Sequence, residues 1–306
     1  MPRADADPDT SSETGLLARA AARFRGCVPP RILGLEPDRF ALAMLWAWSV
    51  AFALAAVLGI AIVGYGSDSH AYYIAWQGPM YDELPGSADA YLYSPAFAQL
   101  FWPLTLLPWP LVAAAMSAAA AATLMWLLAP VRMRYRLPLL LMCLPEVITG
   151  NIFWLLALVA VFGSRFPGLW TLPVLTKVLP ALGPMWFLAR GEWRRLAVAV
   201  ATCVVVVAVS VATAPDLWRE WLRFLLSSSQ EDGVSGSPLA PPLWVRLPAA
   251  VALTVYAARR DRPALLPMAM LLATPVIGHG SFALLAAVPR LAAPTTTGPA
   301  SVHGRR

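Results

Sequence analysis

Residues 40–64, FALAMLWAWSVAFALAAVLGIAIVG, decide the fold because they form a long apolar run without a single charged residue. About 20 apolar residues in a helix are enough to cross the hydrocarbon core of a bilayer. The run is also too long for the apolar region of a cleavable signal peptide. It therefore predicts a transmembrane helix.

The rest of the chain is similarly apolar. Hydrophobic residues make up 59% of the 306 residues, charged residues only 13%, and the mean hydropathy is +0.63. Soluble domains carry about 25% charged residues, so this chain has too little polar surface to cover a globule in water. We expect an all-α, polytopic transmembrane helical bundle that crosses the membrane about eight to ten times, with short or broken helices.

Arginines between the apolar runs predict the orientation of the chain. Arg31 and Arg39 are among five arginines at positions 19–39, before the first run, whereas residues 65–93 contain acidic residues and no Lys or Arg. Since cytoplasmic loops are enriched in Lys and Arg, both termini are predicted in the cytoplasm and residues 65–93 outside. We expect a partly disordered cytoplasmic segment at 1–38, a transmembrane domain at 39–293 in the plasma membrane and a cytoplasmic tail at 294–306.

Prolines break two of the apolar blocks. Residues 94–129 contain four prolines, and residues 137–164 contain Pro145 followed by Gly150 and Asn151. Each block is either one kinked crossing or a hairpin of two short helices. Further crossings are predicted at 168–189, 196–214, 239–258, 263–277 and 281–293.

Residues 215–237 are predicted to lie outside and to begin with a helix in the membrane interface. Their apolar residues recur at helical spacing, and the charged residues lie elsewhere on the helix. The apolar face comprises Leu217, Trp218, Trp221, Leu222 and Leu225.

Asp68 follows the first span in the sequence Gly66-Ser67-Asp68-Ser69-His70. A Ser or Asp before an aromatic run could simply cap a helix. The functional alternative is a carboxylate at the membrane surface that accepts a proton from a bound hydroxyl. His70 is by default a surface residue and otherwise a possible substrate contact.

Lys177 is the only lysine in the chain, and it lies in an apolar run with Pro173, Pro180 and Pro184 around it. A lysine at mid-span costs roughly 2.5–3.5 kcal/mol on insertion scales, so such residues usually have a function. We interpret it as a cation for an anionic ligand such as a phosphate. An internal ion pair with Glu146 and snorkelling to the interface are the alternatives.

Three further polar residues lie at breaks in the apolar runs. His279 is predicted at the outer end of a span, on the same side as Asp68, where the two could share a site. Glu146 and Asn151 flank the break in the 137–164 block. Broken helices at membrane depth usually line a cavity, although these residues could also serve only the turn.

Other site classes have no support in the sequence. The three cysteines form no CxxC pair, which argues against a disulfide framework or a zinc site. No Walker loop, HExxH, nucleophile elbow or Rossmann glycine pattern occurs. No long basic face interleaved with aromatics points to nucleic acid. We therefore expect neither a metal nor a cofactor, nor a nucleic-acid partner.

In order and spacing, these features resemble glycosyltransferase family 87, a family of polyprenyl-phosphate-mannose-dependent mannosyltransferases in the GT-C superfamily. Asp68 matches the family's aspartate after the first span. Tyr93-Ser94-Pro95 matches its Tyr-Pro-Pro, and Gly150-Asn151 matches its Gly-Gln. Lys177-Val178-Leu179-Pro180 keeps its lysine-to-proline spacing, and Pro275 with His279 matches its final motif. Ser94 and Asn151 depart from the pattern.

The resemblance implies a GT-C-like fold and an inverting transfer on the outer face of the membrane. The donor would be a polyprenyl-phosphate sugar, and the acceptor an envelope glycolipid or polysaccharide. Asp68 would be the general base, Lys177 and His279 would bind the donor phosphate, and His70, Tyr93, Glu146 and Asn151 are possible substrate contacts. A transporter or lipid flippase, which would also explain a broken helix with a mid-membrane charge, is one alternative. A non-catalytic membrane partner of an envelope enzyme is another.

Overall fold

The computed structural model describes residues 36–83, 85–87, 89–228 and 240–293. The predicted N-terminal segment up to residue 35, the polar part of the 215–237 loop from residue 229 and the C-terminal tail from residue 294 lie outside these residues. Contacts between Cα atoms divide the chain into two units, with the boundary between Trp48 and Ser49. The packed core described below belongs to the second unit.

Within the described residues the structure contains helices and no β-strand, as the sequence predicts. The α-helices are α1 (Pro37–Val63), α2 (Ser67–Ile74), α3 (Pro95–Phe101), α4 (Trp109–Leu127), α5 (Met133–Met142), α6 (Leu144–Thr149), α7 (Phe153–Phe162), α8 (Thr171–Thr176), α9 (Gly183–Ala189), α10 (Trp193–Thr213), α11 (Pro215–Ser228), α12 (Leu243–Arg259), α13 (Leu266–Ala273) and α14 (Val288–Ala292). Short 3₁₀ helices occupy Trp102–Leu106, Pro167–Trp170, Pro263–Leu265 and His279–Ala287.

Among the described residues, three helices are long and apolar enough to cross a membrane: α1, α4 and α10. The predicted break of block 94–129 is confirmed, since α3 and a 3₁₀ helix precede the single long helix α4. Block 137–164 is likewise divided between α5, α6 and α7. Proline explains the breaks before α4 and between α5 and α6, because its ring removes a backbone donor and clashes with the preceding turn. Helix α6 instead ends at Gly150, which has a left-handed φ of 67°.

The stretch predicted as one span at 168–189 is interrupted rather than continuous. Helix α8 ends at Thr176, and α9 does not begin until Gly183. Between them Val178 adopts a φ of 48°, which is a left-handed conformation that interrupts a helix. Lys177 therefore lies at a break in the helix and not in its middle.

The helix predicted for the first half of 215–237 is confirmed as α11. Phe224 on this helix packs against Tyr81 with ring centroids 5.6 Å apart. Leu222, Leu225 and Leu226 are exposed. An exposed apolar face of this kind is typical of a helix that lies in a membrane interface, and that placement stays a prediction.

The core is built around small residues that let helices approach closely. Helix α12 packs along α13, and α7 packs against the 3₁₀ helix His279–Ala287. Fully buried alanines lie on all four of these elements. In membrane proteins, where lipid removes most of the hydrophobic driving force between helices, such close packing is a main source of association. These alanines are Ala157, Ala250, Ala257, Ala269, Ala273 and Ala287.

Gly150 positions α2 against the end of α6. It has a φ of +67°, and a Cβ at this position would overlap with the Ser69 hydroxyl and lie 2.8 Å from Ser69 Cβ. Gly66, which also has a positive φ, donates its N–H to the carbonyl of Ile148 at 2.9 Å. The approach of the two segments therefore requires glycine at position 150.

We predict that Gly150→Ala destabilises the protein by about 2–4 kcal/mol, because it adds both backbone strain and steric overlap. Thermal unfolding of the purified protein in detergent measures this. The matched control is Gly78→Ala, where a Cβ would meet no atom within 4 Å. Equal unfolding midpoints for the two variants would contradict the role given to Gly150.

Candidate active site

Asp68 lies in the first turn of α2, but it does not cap the helix. The N-cap residue is Gly66, and no side-chain hydrogen bond caps this end. Instead Asp68 Oδ2 accepts a hydrogen bond of 2.9 Å from Asn151 Nδ2. Asn151 is itself oriented, since its Oδ1 accepts the N–H of Ile152 at 2.7 Å. Asn151 follows Gly150, which packs against Ser69, and thus orients the Asp68 carboxylate from the segment that faces α2.

Lys177 is held by aromatic side chains. Its Nζ donates to Tyr93 Oη at 3.1 Å and lies 4.4 Å from the centroid of the Phe153 ring. A cation over an aromatic face is stabilised by the ring quadrupole. The predicted alternative of an ion pair with Glu146 is not found among the ion pairs of the described residues. The ammonium group therefore keeps hydrogen-bonding capacity for a ligand.

The segment that carries Tyr93 is fastened to the segment that carries Lys177. Ser94 donates both its N–H, at 3.1 Å, and its hydroxyl, at 2.7 Å, to the carbonyl of Leu175. Ser94 also caps α3, because its Oγ accepts the N–H of Phe97. The Tyr93 hydroxyl lies 3.1 Å from that of Tyr72 on α2. Serine at 94 makes three hydrogen bonds that a proline could not make.

His279 begins the 3₁₀ helix His279–Ala287 and is exposed. Its ring makes an edge contact with Phe52 of α1, at a centroid distance of 5.0 Å. The preceding Gly278 donates its N–H to Ser281 Oγ at 3.1 Å. The contact with Phe52 holds the His279 ring, and the hydrogen bond from Gly278 to Ser281 holds the backbone turn on which it lies.

Asp68, Asn151, Lys177 and His279 line one cavity of about 340 Å³. The ends of α1 and α6 and the turn at 276–281 supply most of the remaining wall. The structure thus brings together four of the seven predicted site residues, which are up to 211 positions apart in the chain (279 − 68). A carboxylate, a carboxamide, an ammonium group and an imidazole in one cavity can accept a proton and bind an anion.

The other three predicted residues take different places. Tyr93 contacts the cavity through Lys177. His70 is on α2 but pairs with Asp89, its Nδ1 being 2.6 Å from Asp89 Oδ1, and it is absent from the cavity wall. Among the described residues, no group of three His, Cys, Asp or Glu side chains is arranged to hold a metal ion.

Glu146 is fully buried behind the cavity wall. Its Oε1 accepts the N–H of Trp154, in the first turn of α7, at 3.0 Å. Its Oε2 has no hydrogen-bond partner among the described residues, and a Cβ on Gly280 would lie 2.7 Å from it. Glu146 therefore stabilises the start of α7 and packs against the residue after His279, out of direct reach of the cavity.

Arg246 is a buried residue that anchors the segment before His279, and the sequence analysis misses it. It is 4% exposed, and its guanidinium group donates four hydrogen bonds of 2.7–3.0 Å to backbone carbonyls. Three of these carbonyls belong to the last turn of α13 and the two residues that follow it, and the fourth is that of Pro241. They are the carbonyls of Leu272, Thr274 and Pro275. The available signal was a charge inside the otherwise apolar run 243–258.

Comparison with protein-family models gives a match of residues 91–300 to Glycosyltransferase family 87. The match covers more than half of the chain and includes Tyr93, Lys177 and His279, and it begins after Asp68. Neither the curated proteins nor the solved structures contain a significant match.

We predict that Arg246→Lys destabilises the protein by about 2–4 kcal/mol. A lysine lacks the planar set of five donors, so some carbonyls would lose their partner. Thermal unfolding in detergent measures the loss. The matched control is Arg219→Lys, because Arg219 is exposed and its ion pair among the described residues is with the exposed Asp216. A midpoint as high as that of the control would contradict the anchoring role of Arg246.

Proposed function

Because the chain belongs to glycosyltransferase family 87, we propose that it is an inverting, membrane-embedded sugar transferase. It moves a mannosyl or similar unit from a polyprenyl-phosphate sugar to a hydroxyl group of an envelope glycolipid or polysaccharide. The reaction takes place on the outer face of the plasma membrane. The single observation that carries this proposal is the cavity shared by Asp68 and Lys177.

The two charged groups suit the two halves of the reaction. Asp68 supplies a carboxylate that the Asn151 amide holds by one oxygen, which leaves the other oxygen for a substrate. Lys177 supplies a positive charge that Tyr93 and Phe153 hold in place. A fixed charge of this kind, aimed at where negative charge develops, is usually the largest contribution to catalysis.

In the proposed reaction, Asp68 takes the proton from the acceptor hydroxyl. The oxygen forms a bond to the anomeric carbon of the donor sugar while the bond from that carbon to the phosphate oxygen breaks. The electron pair of the broken bond leaves on the polyprenyl phosphate, and Lys177 with His279 offsets its charge. Inversion requires that the acceptor and the phosphate lie on opposite sides of the anomeric carbon.

The helices support a membrane location for the donor. Three of them are long and apolar enough to cross a bilayer, and a polyprenyl chain is soluble only there. The segment between α1 and α3, which carries Asp68 on α2, has no Lys or Arg, whereas arginines follow α4, α9 and α12. By the positive-inside rule Asp68 lies outside the cytoplasm.

A transfer assay tests the proposed function. Membranes that contain the chain are given radiolabelled polyprenyl-phosphate mannose and a lipid extract as the acceptor, and empty membranes serve as the control. We expect a labelled product with a new glycosidic bond only where the chain is present. Label that crosses the bilayer without forming a glycosidic bond would instead support a lipid flippase and contradict the proposal.

Lys177→Ala is predicted to lower kcat/KM for the donor about 10- to 100-fold, since one charge-assisted hydrogen bond is worth about 1.5–3 kcal/mol. The KM for the acceptor should change little. Kinetics with each substrate varied in turn measure the difference, and Arg219→Ala, which removes an exposed cation, is the control. Unchanged constants for both substrates would remove Lys177 from the site.

A further inference from the structure

A polar and aromatic cluster that joins α2 to Asp89 and to the start of α4 lies outside the cavity, and the reaction proposed above does not use it. His70 Nδ1 lies 2.6 Å from Asp89 Oδ1, and the two side chains are 36% and 37% exposed. The His70 ring makes an edge contact with Trp109 at a centroid distance of 4.8 Å, and Tyr73 packs against Trp109 at 5.3 Å. We call His70, Asp89, Trp109 and Tyr73 the α2 cluster.

The α2 cluster is close to Asp68 but faces another way. Asp68 and His70 are two residues apart in α2. At this spacing the Cα atoms are about 5.4 Å apart and the side chains lie on different faces of the helix. The turn Gly64–Gly66 lies between the cavity and Trp109, since Gly64 lines the cavity and a Cβ on Gly66 would lie 3.0 Å from the Trp109 ring. A Cβ on Gly64 would meet no atom within 4 Å, so there is open space at Gly64.

The backbone at Asp89 is held in an uncommon conformation. Its φ of 64° is left-handed, which Asp tolerates better than most residues but which still needs support from its surroundings. The contact with His70 supplies that support. Such conformations occur often at ligand-binding sites, although a tether between the loop and α2 would need the same contact.

The chemistry of the α2 cluster suits a sugar ring. Only one Asp89 oxygen and one His70 nitrogen are used in their contact with each other. Among the described residues, Asp89 Oδ2 and His70 Nε2 make no such contact, so they can bond with hydroxyl groups. Trp109 and Tyr73 are partly exposed and offer apolar surface to the C–H groups of a ring. An acceptor that reaches across the Gly64–Gly66 turn would contact both Asp68 and the cluster.

We propose that the α2 cluster is an acceptor subsite, and that the acceptor is a glycan with at least two sugar rings. The terminal ring presents its hydroxyl to Asp68, and the next ring binds at Asp89, His70 and Trp109. This inference rests on the proposed sugar transfer and names the class of acceptor that the reaction uses.

The test compares two acceptor probes, octyl mannoside and octyl mannobioside, with radiolabelled polyprenyl-phosphate mannose as the donor. For the wild type we expect a lower KM for the two-ring probe. Asp89→Asn and His70→Gln should each raise that KM about tenfold, which corresponds to one hydrogen bond to a charged group, and should leave the KM for the one-ring probe unchanged. Asp216→Asn, at an exposed ion pair on α11, is the matched control.

Hydrolysis of the donor in the absence of acceptor provides a second measurement that does not involve the subsite. Both variants should retain the wild-type rate of hydrolysis. If the contact between Asp89 and His70 only tied the loop to α2, its loss would lower donor hydrolysis and transfer to both probes alike. The inference would be overturned if the wild type had equal KM values for the two probes, or if Asp89→Asn kept the wild-type KM for the two-ring probe. So would transfer to the lipid extract but to neither probe.

Failure of the proposed function would give a different result from failure of the acceptor subsite. If the wild type transfers no label to the lipid extract or to either probe, the sugar transfer itself is contradicted. If transfer occurs and only the effect of ring number is missing, the acceptor subsite is wrong and the transferase stands.

Discussion

The contact between Gly150 and Ser69 is the constraint on which the site depends. It lets the start of α2 pack against the end of α6, with Gly66 bonded to the carbonyl of Ile148. That packing places Asn151 within hydrogen-bonding distance of Asp68. Any larger residue at 150 would separate the two segments and release the carboxylate. The position of the proposed base therefore follows from a backbone contact rather than from the aspartate itself.

The other side of the cavity is built from interrupted helices. Lys177 follows the end of α8, and His279 follows the turn after α13. Backbone groups freed by such breaks need partners, because inside a membrane no water is available to replace them. Ser94 bonds to the carbonyl of Leu175, and Arg246 bonds to three carbonyls before His279. Ser94 and Arg246 thereby stabilise the irregular backbone segments that carry Lys177 and His279.

Composition and apolar runs were enough to predict a helical protein, and the proline positions predicted where helices break. Residue types were enough to predict Asp68, Lys177, His279 and Asn151 as site residues, and the structure brings these four into one cavity. The end of α8 before Lys177 was missed because an apolar run does not reveal a left-handed Val178. Arg246 was missed because its partners are backbone carbonyls, which leave no mark on the sequence. The distance of Glu146 and His70 from the cavity likewise depends on side-chain direction, which spacing alone does not fix.

The central claim is that Asp68 is the general base of a sugar transferase, and it is tested most directly by Asp68→Asn. This variant keeps the size of the side chain and removes its ability to take a proton. Binding of the donor and transfer of its label are measured on the same purified protein. The account predicts that donor binding persists while transfer falls at least 100-fold, as is typical when a general base is lost. Transfer at the wild-type rate by a folded, donor-binding Asp68→Asn protein would contradict it.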